Sequence, residues 1–289
     1  MFIIKQTSFL LNVLCNKIVI DKKLYLLKKE YSKLPKDVYF LNNYKFNITF
    51  FMYIVIIEVG DDLFMIKNRT VQLIYQTIYC TIGLIGTIAS LGIFDDINNI
   101  RWDFYVHFTN ISNFFCIAVM VIALIETIRR KGDDYVKACP LFKFIGVLGI
   151  LLTFLVFNLV LAGSPDRDPQ LNWRIGSLSF HVVLPIMYVA HWVLFYEHRK
   201  VKWTYPLYSI LFPFAYVVFI LIQAVILQFD RTILIPNGSD TPLIYPYFFL
   251  DIEEQGPMVI VYILGLLVGF VALGYAFYGI DRLLKQNKK

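Results

Sequence analysis

Six apolar runs dominate the chain, at residues 70–94, 106–128, 141–163, 177–196, 207–229 and 257–280. Each has the roughly 20 residues that a helix needs to cross the hydrocarbon of a bilayer. Polar segments separate them, and their charge alternates. Arg129, Arg130, Lys131 and Lys137 follow the second run, Arg199, Lys200 and Lys202 the fourth, and Arg282, Lys285, Lys288 and Lys289 the sixth. The intervening segments are acidic or mixed, with Asp95, Asp96 and Asp103, then Asp166 and Asp168, then Asp230, Asp240, Asp251, Glu253 and Glu254. The pattern predicts an all-α integral membrane protein, a bundle of six transmembrane helices. Basic loops stay on the cytoplasmic side, so both termini are expected there, in a multi-pass protein of the plasma membrane. Trp102 and Trp173 then fall at the outer interface and Trp203 at the inner one.

Residues 1–64 read differently. Their longest apolar run, 46–59, is about 14 residues long, too short to span. The segment is expected to be a non-spanning N-terminal extension, an interfacial amphipathic helix, or sequence upstream of the true start. Met65, followed by Lys67 and Arg69, makes an ordinary beginning for a protein with a cytoplasmic amino terminus. The six-helix domain is therefore placed at 65–289.

Composition agrees with a membrane class: 58% of residues are hydrophobic and 17% charged, where soluble domains carry about 25% charged residues. The net charge of +6 comes from short clusters beside apolar runs, as topology signals do, so no nucleic-acid partner is expected. Membrane lipids are the expected partners; the pattern encodes no oligomeric state. The four cysteines, Cys15, Cys80, Cys116 and Cys139, form no CxxC pair and no Cys/His ligand spacing. No cofactor and no metal site are expected.

Candidate chemistry lies where polar residues enter the apolar runs. In the second run Thr109, Ser112, Asn113 and Cys116 fall at i, i+3, i+4 and i+7, one helix face. A helical rise of about 1.5 Å per residue puts Thr109 and His181 at matching depth, roughly 5 to 8 Å inside the outer boundary. Thr87, Ser90, Asn158 and Gln223 join them in the same half. Unpaired polar groups in hydrocarbon cost several kcal/mol, so these side chains are expected to face one another or a hydrated cavity. Serine, threonine and asparagine are common interhelical glue, which is the plain reading of Thr109 or Ser112 alone. Imidazole inside a span is a stronger signal, because it is the usual general base near neutral pH. His191 and His107 read as structural, Cys116 as small-residue packing, and Pro185 and Pro213 as kinks that open room between helices. The chain shows no carboxylate or basic residue near the midplane of the kind coupled transporters carry, which favours a one-sided pocket.

Three motifs carry a resemblance. FTNISN at residues 108–113, HVVLP at 181–185 followed by HWVLF at 191–195, and YPYFFLD at 245–251 resemble the Pr-six-Pr family of bacterial six-span membrane proteins. More distantly they resemble the androgen-induced and androgen-dependent membrane hydrolases. The similarity runs from about Met65 to the end. In those hydrolases a membrane-embedded threonine and histidine cleave fatty acid esters of hydroxy fatty acids. The resemblance implies that Thr109 is the nucleophile and His181 its base, a catalytic dyad for ester hydrolysis or acyl transfer. Asn110, Asn113 and Tyr247 are then candidate oxyanion or substrate donors, with Asp103, Asp230 and Asp251 as candidates to orient His181. The alternative is a non-enzymatic membrane protein with a ligand-binding, transport or assembly role.

Overall fold

The structure, a computed structural model, describes residues 65–94, 102–162, 169–229 and 244–284, all within one compact unit, Val55–Lys289. The 1–64 segment lies outside the described residues. Six helices are long and apolar enough to cross a membrane: Arg69–Ser90, Phe108–Arg129, Pro140–Leu159, Ile175–Phe195, Tyr205–Gln228 and Met258–Leu283. We call them the first to sixth spans. Among the described residues there is no strand, only an isolated bridge between Val136 and Tyr196.

Each span has a local cause. The first stops at Ser90, four residues short of the apolar run, because Gly92 takes φ 77°, a left-handed turn that closes the helix without a Cβ clash. Its buried stripe, Gln72, Gln76, Tyr79, Gly83 and Gly86, repeats every three or four residues. Ile74, Ile78, Leu84 and Ile85 face outward, as lipid-facing residues do. The two glycines admit neighbours closely: a Cβ at Gly83 would lie 2.9 Å from Ile117, and one at Gly86 would lie 2.8 Å from the Phe180 ring. Pro140 begins the third span at a position where its missing N–H costs nothing. That span is the centre of the bundle, with 67% of its apolar window buried against 17% for the sixth.

Three spans are not plain α-helices. The fifth breaks at Ile210, between Tyr205–Ser209 and Leu211–Phe229, and the third and fourth contain π turns. The third changes from α-helix, Pro140–Val156, to a π turn, Phe157–Leu161. The fourth runs as α-helix over Ile175–Leu178, π turn over Ser179–Val183 and α-helix over Leu184–Phe195. In the fourth span Leu184 N–H donates to Ser179 C=O rather than to Phe180, and Pro185 has no N–H to offer His181 C=O. Two carbonyls are thereby released inside the bundle. Asn113 of the second span donates to Phe180 C=O at 3.0 Å, and Asn158 of the third donates to His181 C=O at 3.3 Å. Buried carbonyls of this kind must be satisfied, and two asparagines on neighbouring spans do it.

The opposite end of the bundle is tied by charge and backbone. Arg69 donates to Thr127 C=O and Ile128 C=O, and Arg130 to Gln72 Oε1 at 2.6 Å. Glu126 accepts from the N–H groups of Lys137 and Ala138. His198 pairs with Asp281 at 3.0 Å, both buried, which pins the end of the sixth span to the segment after the fourth.

Candidate functional site

The second span begins with His107 as cap, and its first amides have no partner within the helix. Tyr247, in the segment leading to the sixth span, fills that role: its hydroxyl oxygen accepts from Phe108 N–H at 3.2 Å and is also bonded by the Thr109 side chain. Tyr247 is held by stacking on Phe249, ring centroids 5.1 Å apart, and by an edge contact with His107. Burial pushes its phenol above the ordinary tyrosine range, so it remains a protonated hydrogen-bonding group. Beneath lies an apolar cluster of Val106, Phe108, Tyr216, Ile220 and Leu250, and Tyr216 donates to Val106 C=O at 2.7 Å.

His181 lies in the π turn of the fourth span. Its ring stacks on Phe157, the first residue of the π turn in the third span, with centroids 3.6 Å apart and planes 13° apart. Nδ1 faces Ser177 C=O at 2.9 Å and Ser177 Oγ at 3.2 Å. A carbonyl only accepts, so Nδ1 carries a proton, and in the neutral ring the lone pair is then on Nε2. The imidazole is thus oriented by a backbone carbonyl of its own helix. Asp251, one of the three carboxylates considered for that task, caps a short helix by accepting from Glu253 and Glu254 N–H. Asp230 and the Asp103 side chain lie outside the described residues.

A cavity of about 650 Å³ joins these groups. Thr109, Asn110, His181 and Tyr247 all line it, together with Ser177 and Arg174. Four of the five residues singled out from sequence therefore share one chamber. Asn110 also donates to Phe104 C=O. Asn113 is placed elsewhere: it is fully buried, and its amide donates to Thr109 C=O at 2.8 Å and to Phe180 C=O. It holds the second span against the π turn that carries His181. Of the other polar residues expected at this end, Ser90 lines the chamber, Asn158 supports the π turn, and Gln223 is not among the lining residues. Among the described residues no group of three or more His, Cys, Asp or Glu is placed to hold a metal ion.

Sequence reasoning missed one cluster. The expectation concerned basic residues near the midplane; Lys143 lies instead in the first turn of the third span, yet is 0% exposed. Its Nζ lies 2.6 Å from His191 Nδ1 and 3.9 Å from the centroid of the Tyr188 ring, while Gln76 approaches His191 Nε2 at 3.1 Å. A lysine there reads as an interfacial cation reaching for water. Tyr188 and His191 of the fourth span close over it instead, and nothing local in the sequence announces that packing.

Comparison with protein-family models, with curated proteins and with solved structures returns no match.

Proposed function

We propose that this is a membrane-embedded lipid ester hydrolase or acyltransferase in which Thr109 is the nucleophile and His181 the base. The observation that carries the reading is that Thr109 and His181 line one chamber while Nδ1 of His181 is committed to Ser177 C=O. A threonine hydroxyl is a weak nucleophile until a base takes its proton, and a histidine fixed in this tautomer presents Nε2 for that purpose. Attack on an ester carbonyl forms a bond from Thr109 Oγ1 to the carbonyl carbon. The proton passes to Nε2 and then to the departing alkoxide as the ester C–O bond breaks. Water, or a second alcohol, releases the acyl group by the reverse sequence. The Asn110 amide and the Tyr247 hydroxyl are the donors beside Thr109 for the developing oxyanion.

The proposal includes orientation and kinship. The chamber lies at the bundle end opposite Arg129, Arg130, Lys137, Lys200, Lys202 and Arg282, so the positive-inside rule turns it outward, with both termini cytoplasmic in the plasma membrane. The chain is read as a relative of the Pr-six-Pr proteins on the motifs given above. A covalent serine-hydrolase probe tests the chemistry. Thr109→Ala is expected to abolish labelling and cleavage. His181→Ala is expected to lose about 10²- to 10⁴-fold, and the double variant to be little worse than Thr109→Ala, since a dyad acts as one unit. Undiminished hydrolysis by well-folded Thr109→Ala overturns the reading.

A second reading, ligand binding or transport without catalysis, is favoured by Lys143, because a buried basic residue inside a span is a functional candidate in its own right. It predicts full probe resistance in the wild type and loss of ligand binding in Lys143→Met.

A further inference from the structure

Thr109 belongs to two cavities. Besides the chamber it lines an apolar crevice of about 70 Å³, and Phe157, Leu161 and Tyr247 are likewise shared by both. The crevice runs between the third, fifth and sixth spans, past Val156 and Leu152, Val217, and Leu266. From Leu161 to Leu152 is nine residues of helix, about 13 Å at 1.5 Å per residue. A single water needs about 10 to 15 Å³ on a comparable measure, so the crevice has room for several water-sized groups. Its walls offer them almost no polar partner. Val217, Ile263, Leu266 and Leu267, which line it, are partly exposed. The crevice therefore opens sideways, where the spans meet hydrocarbon.

His181 lines the chamber and not the crevice. Resting on the hydrolase reading, this asymmetry assigns the two halves of an ester. The departing alkoxide must lie beside the group that returns the proton, hence in the chamber with His181. The acyl half then has the other branch. We infer that the crevice between the third, fifth and sixth spans binds the acyl chain of the ester, carbonyl at Thr109 and tail continuing into the bilayer, and that it makes the protein selective for long acyl groups. The alcohol half, in the chamber with Asn110, Ser177 and Arg174, is the polar part of the substrate.

The test separates this inference from the reading it rests on. Protein in lipid nanodiscs is given two esters of one alcohol, with butanoyl and hexadecanoyl chains. Leu266→Trp and Val217→Trp, which fill the crevice and touch no proposed catalytic group, are expected to lower kcat/KM for the hexadecanoyl ester by about tenfold or more and to leave the butanoyl ester unchanged. In parallel, a hexadecanoyl ester with a diazirine at mid-chain is photolysed on the wild type and on Thr109→Ala, and the cross-linked peptides are mapped. Cross-links at Leu152, Val156, Val217 or Leu266 support the inference. Cross-links at Phe94 or Trp173 in the chamber, or equal losses for both esters, overturn it. Crevice cross-links in a protein that neither cleaves ester nor takes up the covalent probe uphold the acyl site and overturn the hydrolase.

Discussion

The Tyr247 hydroxyl has two partners on the second span, Phe108 N–H and the Thr109 side chain. Tyr247→Phe removes both while keeping the ring and its stack on Phe249. If the phenol donates to the oxyanion, the variant loses about 10²-fold in kcat with little change in thermal stability; a drop in melting temperature with kcat intact marks a purely structural cap. Burial raises the phenol above its ordinary value, so its stabilising share is present below the unfolded value of about 10 and is lost as pH rises through the folded one. Thermal scans from pH 9 to 11 on Tyr247→Phe should show a shallower alkaline loss than wild type. Lys143 is the other residue on which chemistry and packing meet. Replacing a buried charge by an apolar group of similar shape is often neutral or stabilising, so Lys143→Met is expected to melt at the same or a higher temperature, while Lys143→Ala, which leaves a cavity, costs about 2 to 5 kcal/mol. Thr109 and His181 were legible because polar residues stand out in apolar runs. Lys143 was not, since three residues after Pro140 it has the sequence context of any membrane-edge lysine, and its burial depends on the distant Tyr188 and His191.

At the scale of elements, existence and length of the spans followed from hydrophobic runs, and the ends followed from capping chemistry the runs do not contain. The first run continues to Phe94, yet the helix ends at Ser90 because Gly92 adopts a positive φ. The fourth span hides more. Pro185 reads as a kink, but its effect is a π turn that releases two carbonyls, and the partners of those carbonyls sit on two other spans. No local pattern links Asn113 and Asn158 to residue 185; only the fold does. The π turn places His181 against Phe157, so the asparagines set the position of the proposed base. Asn113→Ala leaves a buried carbonyl without its donor and is expected to cost about 1 to 3 kcal/mol, with kcat falling more than KM changes. Gly86→Ala tests the same junction from the first span: its Cβ would meet Phe180 and Ser179 at 2.8 and 3.0 Å. A loss of about 1 to 3 kcal/mol is expected, as for overpacked cores, read by thermal unfolding in one detergent.

For the whole molecule, the six-helix count was carried by composition and run length, because a spanning helix needs about 20 apolar residues and must satisfy its backbone groups internally. Orientation rests on the basic clusters. Reporters fused after Lys131, Lys200 and Lys289 are expected on the cytoplasmic side, and reporters at Asn98, Asp168 and Ser239 outside; a cytoplasmic signal at Ser239 would remove the outward-facing chamber. The crevice was not legible at all, because a gap between spans is a property of packing, and Leu266 or Val217 reads like any other lipid-facing residue. Its sideways opening bears on how the protein behaves once extracted. Detergent alkyl chains coat the belt from which an acyl chain would arrive, and they are as apolar as the residues that line the crevice. A micelle is then a reservoir of competitor: turnover of a long-chain ester should fall as alkyl detergent is raised above its micellar threshold, recover on transfer to nanodiscs, and prove insensitive to detergents too broad to thread between the fifth and sixth spans.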